Sequence, residues 1–444
     1  MIRNKNNIAI IVVAVLCLSG SGNFYDNPDS KDITPNILLD MSIDTVTSNL
    51  PFINDSLCYI TDPTLTLTPF ISELQKLVEG KDTVVNIIHL GDSHIQAGIL
   101  SGRTMRLLHS AFGNAGRGWI APFKLMRQNE PPDYFILSDV RNWTGARCVL
   151  RNNKCSWGIG GIGVMTDIQR INFNLVISPR NGTGYGFNSA ILFRDSAAAV
   201  MEPATASIPL IADLKKGVMP VENIVADTFL TADLTDSLHL KSFTKGKSQN
   251  LYYGFMLTNG KPGVLYHSIG VNGARFIDYT NRSYIRQLSL LKPSLLIVSL
   301  GTNESYGRYF NEADFEAQVN SFVNLVREEL PDVTLLITTP LEAYKRKVKN
   351  QKRYYEPNPN MKAVADVLRS YSDSNNIATL DMYSIGGGQN SCIKWFESGM
   401  FGSDHIHFTQ NAYSEQGSLL YKALMRSFLN SFPNKNGEEV SSVE

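Results

Sequence analysis

Val84-Val-Asn-Ile-Ile-His-Leu90 runs directly into Gly91-Asp92-Ser93. The apolar, partly β-branched run reads as a buried strand, and the small polar triplet that stops it reads as a turn. Three later runs follow the same pattern: Leu295 to Leu300 ends at Gly301-Thr302-Asn303, Val333 to Thr338 ends at Thr339-Pro340, and Ile377 to Leu380 is a shorter fourth. Between them, Glu312 to Leu330, Met361 to Tyr371 and Ala412 to Leu429 space their apolar residues three or four apart, as amphipathic helices do. Leu65 to Val78 shows the same period ahead of the first strand, and Ala97 to Phe112 reads as a helix interrupted by Gly98 and Gly102. Strands alternating with helices predict an α/β fold, a parallel sheet covered on both faces.

The rhythm breaks between about Asp133 and Gly263. This stretch is rich in Gly, Thr, Asn and Ser, with short alternating runs such as Ile171 to Ile177 and Ser207 to Leu214, and it lacks a long helical pattern. It reads as an inserted β-sandwich. The expected division is therefore a lead-in over 23–80, one α/β domain in two halves over 81–130 and 263–432, an insertion over 131–262, and a frayed tail over 433–444.

The chain has 444 residues, 43% of them hydrophobic, with 41 Lys+Arg against 41 Asp+Glu. Such a composition supplies a core and excludes wholesale disorder. Zero net charge without a long basic run excludes nucleic acid as a partner. Met1 to Asn7 carries Arg3 and Lys5, Ile8 to Leu18 is apolar, and Leu18-Ser-Gly-Ser-Gly22 is small and polar. That order is an export signal over 1–22, and its apolar part falls short of the roughly 20 residues a membrane span needs. Cys17 leaves a lipid anchor open, although Leu16 is bulky where lipoprotein processing takes a small residue. An exported chain allows Cys58, Cys148, Cys155 and Cys392 to pair or to remain buried thiols, while their spacing is unlike that of zinc ligands.

In an open α/β sheet, ligands collect beyond the carboxyl ends of the strands. Ser93 stands at such an end, where a following helix would favour developing negative charge, and the same Asp92-Ser93 pair also fits a plain N-cap. Near the other terminus, Asp404-His-Ile-His407 precedes the last helix. One turn brings residues three apart side by side, so the Asp404 carboxylate can fix the His407 tautomer while the other ring nitrogen faces a serine. Serine, base and orienting acid are the parts of an acyl-transfer triad. Asn303, after its strand, offers a side-chain amide, and Gly273 offers an unobstructed backbone N–H. With the Ser93 amide these make three candidate oxyanion donors, though each glycine or asparagine also suits an ordinary turn.

Together these four segments resemble the SGNH (GDSL) hydrolases: Gly91-Asp92-Ser93 is similar to the first family block, Gly273 to the second, Gly301-x-Asn303 to the third, and Asp404-x-x-His407 to the last. The resemblance covers roughly 82–123 and 261–432. It implies a three-layer α/β/α fold, Ser93 as nucleophile, His407 as base, Asp404 as its orienter, an oxyanion hole of Ser93, Gly273 and Asn303, and no metal or organic cofactor. Gly91-Asp-Ser-His-Ile-Gln-Ala-Gly98 and Gly270-Val-Asn-Gly-Ala274, split by a β-rich insertion, look most like exported peptidoglycan O-acetylesterases, whose insertion is a jelly-roll-like sandwich similar to carbohydrate-binding domains. The expectation is thus a periplasmic or extracellular serine esterase that removes O-acetyl groups from a glycan. Deacetylation of plant or host polysaccharide, lipid acyl hydrolysis, and glycan binding without catalysis stay open.

Other motifs are weaker. Gly158-Ile-Gly160-Gly-Ile-Gly163 matches a dinucleotide fingerprint in letters only, since it lacks a preceding strand and a following helix. There is no G-x-S-x-G elbow, and the histidines lack a metal-ligand spacing. Trp143, Trp157, Tyr185 and Tyr252 in the insertion suit a core better than a sugar-stacking platform.

Overall fold

The computed structural model describes residues 48–178, 184–204, 218–246, 248–307 and 309–432. The expected export signal, Cys17, the run from Ser207 to Leu214 and the tail lie outside them.

Among the described residues, six strands form the central sheet: β1 (Ile60–Thr61), β2 (Val84–Gly91), β3 (Gly263–Gly270), β4 (Leu295–Ser299), β5 (Thr334–Thr338) and β6 (Ala378–Leu380). Their order across the sheet is β1-β6-β5-β4-β2-β3. All neighbours run parallel except β1, which pairs antiparallel with β6 at the edge. The chain leaves β2 towards β3 on one side and then builds β4, β5 and β6 on the other. The end of β2 is therefore the topological switch point, where open α/β sheets place their ligands.

Alternate residues of the strands feed two cores. Val85, Ile87, Leu295 and Ile297 face α1 (Thr68–Val78), α2 (Leu100–Phe112) and α5 (Gln410–Asn430) through Phe70, Leu108, Leu420 and Phe428. Ile88, Leu90, Leu296 and Val298 face α3 (Glu312–Glu329) and α4 (Asn360–Ser374) through Phe315, Phe322, Val364 and Leu368. Each of these fully buried side chains contributes about 1.5–3 kcal/mol relative to exposure. This is a three-layer fold, as its sequence pattern predicts, with one mixed edge. The strand β3 was not predicted, because Tyr266, His267 and Ser268 interrupt its apolar run. The helix expected over Ala97 to Phe112 is instead a four-residue turn of helix, Ser93–Gln96, followed by α2.

Among the described residues, the insertion supplies six strands of a seven-stranded antiparallel sheet and all four strands of a second. Phe173 of the smaller sheet packs edge-on against Tyr252 and Phe255 of the larger, and Trp143 stacks on Phe173 at 5.2 Å. These aromatics are core, as expected, while Trp157 is half-buried against Tyr284 of the α/β domain. The larger sheet begins earlier than the sequence suggests, because Gly118–Ile120 pairs with Asn250–Thr258. Gly158 to Gly163 is the bend that opens the strand Ile162–Thr166. An unpredicted hairpin, Tyr344–Lys349 with Lys352–Pro357, turns through Asn350 and Gln351, both at positive φ. A two-residue turn of that kind suits the twist of the flanking strands.

Candidate active site

Local chemistry fixes both ends of the site. At the end of β2, Asp92 caps Ser93–Gln96 by accepting the His94 N–H at 2.9 Å. Ser93 occupies the first helical position, where a backbone N–H has no partner within the helix. Gly270, at the end of β3, lets this turn sit against the sheet: a Cβ there would lie 2.1 Å from Gln96 N and 2.7 Å from Asp92 O. At the other end, Asp404 Oδ1 accepts the N–H groups of Ile406 and His407 at 3.0 and 2.9 Å. Phe401 and Phe408 close the loop around them, bridged by backbone and stacked at 4.4 Å.

The fold brings three of the sequence-predicted residues into one line. His407 Nδ1 lies 2.6 Å from Asp404 Oδ2, and its Nε2 lies 2.8 Å from Ser93 Oγ. Burial works against the Asp404 charge, but bonds from the His407 ring and from the His407 and Ile406 amides outweigh it and hold the carboxyl below its usual range. An ionised Asp404 requires Nδ1 to donate, leaving the Nε2 lone pair to accept the Ser93 hydroxyl. Ser93 and His407 open into a cleft of about 240 Å³ with Gln96, Ala97, Asn129, Asn272 and Tyr413.

The other two predicted residues flank this line. Gly273 sits at φ +85°, with open space where a side chain would project. Its backbone N–H donates to no acceptor among the described residues. Asn303 is engaged: its Nδ2 donates to Asp92 Oδ2 at 3.1 Å and to the Ala274 carbonyl at 3.0 Å. An amide has two such N–H donors, so both are in use here.

Asp92, Glu304, Gln96 and Tyr413 escaped sequence reading as parts of the site. Asp92, read only as a cap, also orients Asn303, and burial pushes its carboxyl up to about 7. Burial does the same to Glu304, whose Oε1 accepts the Phe276 N–H at 2.8 Å while Oε2 is buried with no partner among the described residues. Gln96 accepts the Asn272 N–H at 2.7 Å and donates to the Asn129 carbonyl at 3.1 Å, tying the glycine loop to the entry of the insertion. Tyr413 meets His94 Nδ1 at 2.9 Å, and the His94 ring packs 5.2 Å from that of His407. Burial drives His94 down to about 3, so it stays neutral beside the His407 ring.

Cys58, Cys148, Cys155 and Cys392 are free thiols, so the pairing left open by the sequence is not made. Among the described residues, no group of His, Cys, Asp and Glu is placed to hold a metal ion, and no helix is long and apolar enough to cross a membrane.

The model of the GDSL-like lipase/acylhydrolase family matches residues 242–414, a segment that contains Gly273, Asn303, Asp404 and His407 but not Ser93. A solved peptidoglycan O-acetylesterase is similar over 84% of this chain and 99% of its own, with a TM-score of 0.66 and 20% identity. A lipase/acylhydrolase from Enterococcus faecalis matches 37% of this chain and 77% of its own at 17% identity and a TM-score of 0.28. A GDSL-like lipase from Bacteroides thetaiotaomicron matches 36% and 76% at 20% identity, also with a TM-score of 0.28. No curated protein sequence matches the chain. The fold is that of the SGNH hydrolases, and within it the chain is similar to a peptidoglycan O-acetylesterase.

Proposed function

We propose that the protein is an exported serine esterase that removes O-acetyl groups from a glycan, with peptidoglycan as the substrate, through an acyl-enzyme. The observation that carries this reading is the 2.8 Å approach of Ser93 Oγ to a histidine whose other nitrogen is held by a carboxylate. His407 takes the hydroxyl proton as Ser93 attacks the acetyl carbonyl, and Asp404 stabilises the resulting imidazolium. The Ser93 and Gly273 amides receive the oxyanion, and Asn303 joins them when one N–H turns from the Ala274 carbonyl to the substrate. His407 returns its proton to the departing sugar oxygen. Water then attacks the acetyl-serine by the same route in reverse, releasing acetate.

The cleft favours a small acyl group on a polar carrier. Gln96, Asn129, Asn272 and Tyr413 surround the serine with hydrogen-bonding groups that suit a polar carrier. The likeness to a peptidoglycan O-acetylesterase supports the choice of glycan. Acetate release should be measured from O-acetylated peptidoglycan, acetylated xylan and a long-chain ester, with the wild type and with Ser93→Ala. Release from peptidoglycan, lowered by about 10⁴-fold or more in the variant, is expected. Release from xylan alone would overturn the substrate, and an undiminished rate in Ser93→Ala would overturn the mechanism.

A further inference from the structure

Lys345-Arg-Lys-Val-Lys-Asn-Gln-Lys-Arg353 packs six cations into nine residues of a chain whose total charge is zero. These residues form most of the hairpin Tyr344–Lys349/Lys352–Pro357. Its register sorts them by face. Lys345, Lys347 and Lys349 lie opposite Glu356, Tyr354 and Lys352, so four lysines share one face with a single carboxylate. That carboxylate pairs with Lys347 at 3.1 Å near the base. Same-face residues along a strand are about 7 Å apart, so the lysines make a row of charges and not a compact cluster. Tyr354, 43% exposed, sets a ring among them, and Arg346 and Arg353 add charge on the opposite face.

Protection of exposed strand edges explains some of this charge. It does not explain the sign. Lys349 stands directly across from Lys352, a like-charge pairing that costs stability, whereas mixed charges would protect the edges without that cost. Departures from local consistency of this kind are where function is found.

The ribbon is fastened to the loop that carries His407. The Tyr344 N–H donates to the His405 carbonyl at 3.2 Å, and the Tyr306 hydroxyl donates to the Tyr344 carbonyl at 2.5 Å. The Tyr355 ring stacks on the His405 ring at 3.9 Å and 15°, and Phe396 stacks on it at 4.8 Å and 18°. His405 is two residues from His407, so the charged row and the Ser93 cleft are built on one short, aromatically clamped loop.

We propose that this lysine-faced ribbon docks a polyanionic glycan, a polymer with repeated carboxylate or phosphate groups, and holds it while an ester on the same polymer enters the Ser93 cleft. An extended row suits an extended polyanion, since a lone anion would engage one or two of the lysines. The polymer's role as ester carrier rests on the esterase reading of Ser93, but the docking does not. Binding is therefore measured in the Ser93→Ala protein, where turnover plays no part.

The probes are uncharged dextran, carboxymethyl-dextran, phosphorylated dextran and duplex DNA, each at low and high salt. The proteins are the Ser93→Ala parent and two derivatives of it, one with Lys345, Lys347, Lys349 and Lys352 changed to Gln and one with the same four changed to Arg. Thermal melting checks that all three are folded. At least one anionic dextran should bind the parent more tightly than plain dextran and weaken as salt rises. The Gln derivative should lose about tenfold or more of that affinity and the Arg derivative should retain it. Whichever dextran is preferred identifies the anion. Equal binding of plain and anionic dextran, undiminished affinity in a folded Gln derivative, or tighter binding of DNA than of either anionic dextran would overturn the proposal.

Discussion

Glu304 and Asp92 show how a single buried group shapes this protein. Burial pushes both carboxyls up to about 7, well above the value near 4 they take in the unfolded chain. A group whose folded pKa is raised keeps its proton in the native state while the unfolded state releases it. Its stabilisation is complete below about pH 4 and is lost as pH rises through about 7, at up to about 1.4 kcal/mol per pH unit for each group. Glu304→Gln retains an acceptor for the Phe276 N–H and removes the titration. The variant should lose less Tm than the wild type between pH 4.5 and pH 7.5, and equal slopes would show that Glu304 ionises freely in the fold. At this scale, what the sequence made legible was local. Asp404 and His407 could be read from their three-residue spacing and Ser93 from its place at a strand end, but the fold alone brings Ser93 and His407 together. The bonds from Asp92 to Asn303 and from Gln96 to Asn272 join residues far apart in the chain, and nothing in either segment announces its partner.

At the scale of elements, two glycines separate packing from conformation. Gly270 allows β3 to touch the Ser93–Gln96 turn, and a Cβ would meet backbone atoms that have no free direction in which to move. Gly270→Ala should therefore push the turn from the sheet, lower Tm by several degrees and abolish activity together. Gly273 faces open space, and its positive φ alone opposes a side chain, at roughly 1 kcal/mol. Gly273→Ala should fold with a small loss of Tm, as measured by thermal melting. A severe loss in Gly273→Ala, or none in Gly270→Ala, would reverse this assignment. The long helices and the strands β2, β4 and β5 were evident because apolar periodicity is strong in uniform segments. The strand β3 and the Tyr344–Pro357 hairpin were not. Polar residues interrupt the first, and the second owes its pairing to Asn350 and Gln351 at its turn and to aromatic contacts with a loop fifty residues later.

For the whole molecule, a parallel sheet with an antiparallel sandwich set into it was foreseeable from the change of rhythm along the chain. The seam was less so, because Gly118–Ile120 leaves the α/β half early to join the larger sandwich sheet. Lys345 to Arg353 was overlooked in reading the chain as one without a long basic run, since a zero total says nothing of where charges gather. The sheet order explains why residues near opposite ends of the chain meet: β2 lies inside the sheet at its switch point, and α5 packs against α2, so the loop before α5 arrives over Ser93.

That meeting is the central claim, and covalent labelling tests it most directly. A serine-directed organophosphonate should be incubated with the wild type and with His407→Ala, and the labelled peptide identified by mass spectrometry. One equivalent of label on Ser93 is expected in the wild type, with a labelling rate at least about 10²-fold lower in His407→Ala. Label on another residue, or an equal rate in the two proteins, would contradict the account.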